Sequence, residues 1–479
     1  MLFPTVAFAI FFVVAFAVSW LLRPTYRVWL WAMTALSLVF YGWTDERFVL
    51  LLVGSIAVNW GFGEAVWRAL DDDGQRTPLS TTLVRAAVVA NLVLLGFFKY
   101  YGFFVDSFAD ATDAVGLGLQ PPLLEIVLPV GISFFTFHAL SYVIDIGRGE
   151  LRPMRFDEMA LYMSFFPHLV AGPIVRAREL KPQLRQRPDP RTIPSGEALR
   201  LITFGLFKKV VVSSYLATEL VDPVFGAPGA HAPLELLVAV YAYAIVIYAD
   251  FSGYTDIAIG CALLLGIRFP QNFDAPYRAL SLQEFWRRWH MTLSRWLRDY
   301  LYVPLGGNRH GERQVYRNLL LTMVIGGLWH GAAITFVVWG AIHGGFLAVE
   351  RFVRERWRAQ YPLPVMPRAA SSVLRWLVTF HVVCLGWVFF RADSLGTAYD
   401  VLDGIFTAPG AAPLVTTLAI VTIALALASQ FVPPAAVVGA QERFARLGPA
   451  AQIGALAGAL TVIDVLGPEG VAPFIYFQF

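Results

Sequence analysis

Between Arg317 and His343 the chain carries a single ionisable side chain, His330. It lies in the apolar run Asn-Leu-Leu-Leu-Thr-Met-Val-Ile-Gly-Gly-Leu-Trp-His-Gly-Ala-Ala-Ile-Thr-Phe (318–336). A helix rising about 1.5 Å per residue would carry the imidazole roughly 18 Å beyond Asn318, near the middle of a ~30 Å hydrocarbon core. A titratable ring is costly to place there and marks a functional site by default. A neutral imidazole can take a proton from an incoming hydroxyl and return it to a leaving group, so general acid–base chemistry is what it offers. The alternative is a core histidine hydrogen-bonded between helices. Gly326, Gly327 and Gly331 would let another chain or an acyl group come close.

Upstream, residues 281–303 hold a second histidine among arginines and aromatic rings. Ser281 and Glu284 have capping-box spacing, and Leu280 with Phe285 can form a hydrophobic staple. At 100° per residue, Phe285, Trp286, Trp289, Leu293, Trp296 and Tyr300 share one face, and Arg287, Arg288, Arg295 and Arg298 the other. Such a helix lies in a membrane interface with its arginines toward water, until Pro304 and Gly306-Gly307 end it. His290 falls at the edge of the aromatic face, beside the wet side. The arginines suit anionic headgroups, and equally the phosphates of a donor such as coenzyme A. They are candidate donor-binding residues, together with Trp329. Spacing alone does not choose between these readings.

The elements that must position these groups follow from composition. Of 479 residues 57% are hydrophobic and 15% charged, against about 25% charged in a soluble domain. Apolar stretches of helical length recur near 4–22, 28–43, 48–67, 83–99, 124–146, 157–172, 200–220, 233–250, 253–268, 318–349 (long or paired), 371–390, 412–431 and 449–466. Strand periodicity is absent. The chain therefore reads as an all-α polytopic membrane protein, with its first segment a retained span. Net charge is only +3. Arginines cluster between spans, above all over 176–200, 268–317 and 351–375, which assigns those loops to the cytoplasm. Nucleic-acid binding has no support. Asp250 and Asp256 fall in or beside apolar helix, with arginine partners expected. Leu128-Pro129-Val130-Gly131 and Phe166-Pro167-His168 break their helices, as cavity-lining segments do. Cys261 and Cys384 make neither a disulfide framework nor a metal pattern. No His-x-x-x-x-Asp, Gly-x-Ser-x-Gly, Walker A or His-Glu-x-x-His motif occurs.

Five segments together resemble the membrane-bound O-acyltransferase family. They are Leu-Pro-Val-Gly-Ile-Ser-Phe-Phe-Thr-Phe (128–137), Leu-Val-Ala-Gly-Pro-Ile-Val-Arg (169–176), Asp-Phe-Ser-Gly-Tyr-Thr-Asp-Ile-Ala-Ile-Gly (250–260), the run 285–309 from Phe-Trp-Arg-Arg-Trp-His to Leu-Gly-Gly-Asn-Arg, and Gly-Gly-Leu-Trp-His-Gly-Ala (326–332). The branch most similar is that of bacterial alginate O-acetyltransferase membrane subunits. Likeness is dense over 120–345, and residues 350–465 carry no matching motif.

The resemblance implies a single domain over 1–479, a ring of tilted helices around a tunnel, with interfacial and re-entrant helices. It implies a catalytic His330 with His290 as the second motif histidine. No bound cofactor or metal is expected. Acetyl-coenzyme A is the expected donor, a hydroxyl of an extracytoplasmic polysaccharide the acceptor, and a secreted or periplasmic protein the partner, all at the cytoplasmic (inner) membrane. The tail Pro473-Phe-Ile-Tyr-Phe-Gln-Phe479 resembles the ending of a small D-alanylation peptide, which makes Tyr476 a candidate acyl relay. A D-alanyl or lipid acyltransferase of the same family remains an alternative. So does a proton-coupled transporter using His330, Asp250 and Asp256.

Overall fold

The computed structural model describes residues 1–118, 124, 126–357, 367–407 and 410–467. Every regular element among them is helical. Among the described residues six helices are long and apolar enough to cross a membrane: Arg47–Arg68, Pro78–Ala114, Ser195–Gly226, Pro233–Leu264, Ile334–Arg356 and Arg368–Arg391. The pair Thr417–Ser429 and Pro434–Ala445, bent by 96°, adds a broken span. The protein is a multi-pass α-helical membrane protein.

Several boundaries differ from the hydropathy reading. The stretches 233–250 and 253–268 are joined in one helix, Pro233–Leu264, which runs through Ser252 and Gly253 and stops short of 265–268. The stretch 318–349 is two helices, Glu312–His330 and Ile334–Phe352. The stretch 157–172 breaks at Phe165, whose ψ of 110° stops the helix Phe156–Ser164 ahead of Pro167.

The chain divides into two compact units, Met1–Ala198 with Ala258–Pro270, and Leu199–Ile257 with Gln271–Phe479. In the first, Phe8, Phe11, Phe40 and Phe166 pack ring on ring, with the Phe11 and Phe166 centroids 5.1 Å apart. Its two broken helices meet. Gly131 (φ 76°) caps the helix Ile132–Gly147, and a Cβ there would lie 2.6 Å from the Leu169 carbonyl oxygen. The breaks thus pack on each other's backbone. His138 and His168, both fully buried, lie with ring centroids 4.5 Å apart. His168 Nε2–H donates to the Tyr162 carbonyl (2.8 Å).

In the second unit, the helix Pro233–Leu264 crosses Ser195–Gly226 where glycine faces glycine. A Cβ on Gly205 or on Gly253 would sit 2.7 Å from the other's carbonyl oxygen. This close approach brings two lysines onto the two acids. Lys209 pairs with Asp250, both almost wholly buried. Lys208 donates to Asp256 (2.6 Å) and to Ser252 (2.8 Å). The partners are lysines, where the sequence reading expected arginines. Lys208 and Lys209 lie inside the span read over 200–220, away from the arginine clusters between spans.

A buried charge stripped of its partner costs about 3–5 kcal/mol, whereas replacing both partners with apolar groups is often neutral. Lys209→Met alone should therefore lower the melting temperature of detergent-purified protein sharply, and Lys209→Met with Asp250→Leu should recover most of the loss. Equal destabilisation by the single and double changes would show that the pair is not the source.

Candidate functional site

Glu312–His330 and Ile334–Phe352 form a hairpin. Both ends of its base are tied. Arg356 Nε pairs with Glu312 (2.8 Å), and Asn318 Nδ2 donates to the carbonyls of Leu305 and Gly307 (both 3.2 Å). The first helix has 19 residues, so its last residue, His330, stands about 27 Å from that base. Gly331 (φ −158°, extended) ends the helix. Three glycines close the hairpin: a Cβ on Gly327 would meet the Phe336 carbonyl oxygen at 2.2 Å, on Gly340 the Met323 carbonyl at 2.4 Å, and on Gly331 the Phe336 ring at 1.9 Å. The approach the sequence suggested at Gly327 and Gly331 is thus made by the chain's own next helix.

His330 is 4% exposed. Its ring contacts Trp329 (centroids 5.0 Å), Trp339 (5.1 Å) and Phe390 (5.2 Å). At the carbonyl end of a helix, a positive charge developing on the ring during proton transfer is favoured. Phe390 is followed by Arg391, which donates to Asp222 (2.9 Å) and pairs with Asp393 (3.5 Å). The hairpin tip therefore lies close to a charged cluster at the end of the helix Arg368–Arg391 remote from Arg368 and Arg375.

The amphipathic segment is not one helix. Leu282–Arg288 and Met291–Leu297 are separated at Trp289 and His290, and a π-helical turn, Arg298–Tyr302, follows. Ser281 caps as expected, accepting from Glu284 N, while Glu284 accepts from Leu280 N rather than from Ser281. The aromatic face survives the break, since Phe285, Trp289, Leu293, Trp296 and Tyr300 are all buried. His290 does not stand beside water. It is fully buried, with φ 41°, a left-handed conformation that costs a non-glycine residue of order 1–3 kcal/mol. Asn272 holds it there. Asn272 Oδ1 accepts from Thr292 N (3.1 Å) and Thr292 Oγ1 (2.9 Å), its carbonyl accepts from Met291 N (2.9 Å), and Asp274 N donates to the Arg288 carbonyl (2.9 Å). Nothing in the sequence flagged Asn272, because its partners lie some 20 residues downstream.

The His290 ring packs edge-on against Phe251 (4.6 Å) and lies 6.2 Å from Trp329. Neither ring nitrogen has a hydrogen-bond partner among the described residues. His290 lies outside the membrane-spanning helices, and burial pushes its pKa down to about 3. Trp329 thus stands between the two motif histidines. His343, fully buried, joins the same cluster through Trp339 (4.9 Å) and Trp286 (5.2 Å).

The four arginines of the segment separate. Arg288 is committed to Asp274 (2.6 Å) and Glu284 (3.0 Å), Arg295 is half-buried, and Arg287 is exposed. Arg298 borders a cavity of about 260 Å³ between this segment and the hairpin, which Arg351 and Arg354 also line. Trp286 forms part of the wall and touches Trp339 (5.7 Å), which in turn touches His330. Tyr476 lies outside the described residues.

The sequence profile of the membrane-bound O-acyltransferase family matches residues 118–390. A probable alginate O-acetylase of Pseudomonas aeruginosa is 41% identical over 374 residues, covering 78% of this chain and 68% of its own length. A peptidoglycan O-acetyltransferase of Helicobacter pylori is 38% identical, covering 78% of this chain and 69% of its own. A teichoic acid D-alanyltransferase of Streptococcus thermophilus is 26% identical over 60% of this chain and 75% of its own length.

Two outcomes follow from the geometry around His290. Asn272→Ala removes the acceptor that Thr292 uses and should cost about 1–3 kcal/mol, read as a lower melting temperature. Retained stability would mean the left-handed turn holds itself. Because the folded-state pKa of His290 is depressed from 6.5 to about 3, the unfolded chain binds more protons between those values. The contribution is complete above pH 6.5 and is lost as pH falls towards 3. In His290→Gln, the drop in melting temperature between about pH 7 and pH 5 should be smaller than in the parent, and an unchanged drop would contradict the assignment.

Proposed function

The chain belongs to the membrane-bound O-acyltransferase family and is an acyltransferase, and from that premise we propose that it moves an acetyl group from cytoplasmic acetyl-coenzyme A to a hydroxyl of an extracytoplasmic polysaccharide. His330 acts as general base. The hydroxyl oxygen attacks the thioester carbonyl carbon, the C–O bond forms and the C–S bond breaks. The hydroxyl proton passes to the imidazole and from there to the departing thiolate, so no net proton is consumed. Burial keeps water from competing for the acyl group. His290, neutral and locked by Asn272, supports the wall that Trp329 completes beside His330. The acetyl group reaches the polysaccharide directly or through the Tyr476 hydroxyl and a secreted partner protein, and the enzyme sits in the cytoplasmic membrane with its arginine-rich loops inside.

One observation carries this reading. A buried imidazole ends a helix at the far side of a hairpin from an arginine-bordered cavity, with Trp286 and Trp339 between. The relatives named as O-acetylase and O-acetyltransferase favour acetyl over D-alanyl, since they match at 38–41% identity against 26%.

His330→Ala should reduce acetyl transfer from labelled acetyl-coenzyme A by at least about 10²-fold, the usual worth of a general base. Its membrane insertion and melting temperature should stay close to the parent's. Transfer at the parental rate would refute the assignment. The mass of the C-terminal peptide after the same incubation tests the relay, for which an acetyl group on Tyr476 is the expected result.

A further inference from the structure

The membrane-spanning helices Ile334–Arg356 and Arg368–Arg391 meet the arginine-rich stretch 351–375, whose composition assigns it to the cytoplasmic face. A groove of about 440 Å³ runs between these two helices, walled by Leu282, Phe346, Val349, Leu374, Val378 and Val382. None of the rings around His330 or His343 lines it. Val349, Leu374 and Val378 are each at least half exposed, which a membrane span tolerates because lipid tails are as apolar as leucine. From Leu374 to Val382 the groove follows its helix for about 12 Å. It stops there, well short of Phe390, the ring of this helix that touches His330.

The groove is apolar along its length and cationic at one end. Arg375 donates through Nε to the Leu280 carbonyl (3.2 Å), and its side chain is exposed. Arg354 binds Gln283 (3.0 Å) and Glu355 (3.4 Å), exposed partners that contribute little and yield to a stronger anion. The acid on the wall, Glu350, is taken up by the backbone N–H groups of Leu282 (2.7 Å) and Gln283 (3.3 Å). A second groove, of about 490 Å³, lies along another face of the helix Arg368–Arg391, against Val373, Trp376, Leu427 and Phe431. Trp376 is fixed there, since its Nε1–H donates to the Tyr277 carbonyl (2.8 Å) and its ring meets that of Phe431 (6.0 Å). Leu280 lines both grooves. Two apolar channels that meet beside one pair of guanidiniums match a molecule with one anionic head and two tails. Basic pockets between membrane helices on the cytoplasmic side favour such headgroups.

We propose that Arg354 and Arg375 hold the phosphate of an anionic diacyl phospholipid of the membrane, with one chain laid between the two helices and the other beside Trp376 and Phe431. The lipid is a structural ligand and undergoes no reaction. It ties the helix that carries Trp339 to the helix that carries Phe390, the two rings that flank His330 from either side of this contact. A zwitterionic lipid has the same tails, but its own ammonium competes for the phosphate, so the guanidiniums select for net negative charge. The site uses neither His330 nor any acyl chemistry, and it stands or falls separately from the transfer reaction.

The test uses full-length protein in detergent, with retained lipid read by native mass spectrometry and the melting temperature read in parallel. The probes are phosphatidylglycerol and phosphatidylcholine with identical chains, lysophosphatidylglycerol, and inorganic phosphate. The parent should retain phosphatidylglycerol at least about tenfold better than phosphatidylcholine and melt higher with it. The single-chain lipid should bind several-fold more weakly, and inorganic phosphate should not shift the melting temperature. Arg354→Gln with Arg375→Gln should bind the two diacyl lipids equally. Val378→Trp, which fills the groove from an exposed position, should weaken both. Arg443→Gln, a charge-matched control on the exposed helix Pro434–Ala445, should match the parent. If the double variant fails to fold, the parent's lipid preference and the Val378→Trp result decide. Absence of that preference in the parent, or parental retention in the double variant or in Val378→Trp, overturns the proposal. So does its loss in Arg443→Gln, which would make it a property of general surface charge. An equal response to inorganic phosphate would leave a simple anion site, and a second copy of the chain in place of lipid would give the grooves to a dimer; either result also overturns it.

Discussion

Between Met323 and Phe336 the two arms of the hairpin approach until backbone touches backbone. A single methyl group on Gly327 would lie 2.2 Å from the Phe336 carbonyl oxygen, and one on Gly340 would lie 2.4 Å from that of Met323. Neither neighbour is the free end of a flexible side chain, so neither can yield cheaply. This contact fixes the depth of His330, because it sets where the first helix must stop and the second begin. It also sets the width of the cavity beside Met323 and brings Trp339 against the His330 ring. Larger residues at these glycines would push the arms apart and move all three features at once.

The titratable groups around this contact are accommodated in two different ways, and the difference is chemical. Asp250 and Asp256 cannot be buried cheaply as lone charges, and each has a lysine from the neighbouring helix. Imidazoles have a neutral form close at hand, so His290 and His343 are packed among aromatic rings with no hydrogen-bond partner among the described residues. With Asp250 and Asp256 both paired to lysines, the acids act as fastenings between helices.

The parts of this arrangement that depend on local sequence were legible in it. Ser281 caps its helix, the aromatic face of 285–300 is buried, and every regular element among the described residues is helical. What depends on contacts distant in sequence was not. Periodicity runs straight through His290, and only Asn272, from another segment, explains why the helix stops there. Hydropathy cannot separate one helix from two, so it divides 233–268 into two stretches and leaves 318–349 long or paired. Lys208 and Lys209 lie in an apolar stretch whose partners are over 40 residues away. Arg351 and Arg354 sit in a loop-end cluster of the kind that usually fixes topology. Their place at a cavity appears only once the hairpin folds Glu312 against Arg356.

The roughly 27 Å between the hairpin base and His330 carries its own constraint. Charge cannot follow the hairpin inward, since moving an unpaired ion out of water costs several kcal/mol even after relaxation. Arg298, Arg351 and Arg354 stay at the cavity nearer the base, and between that cavity and His330 stand the rings of Trp286 and Trp339. The same reasoning applies at the tip. Arg391 and its two carboxylates stand immediately beyond Phe390, so polar surface resumes one ring away from His330. A polar group approaching from that side would lose its hydration only over the last few ångströms before the imidazole.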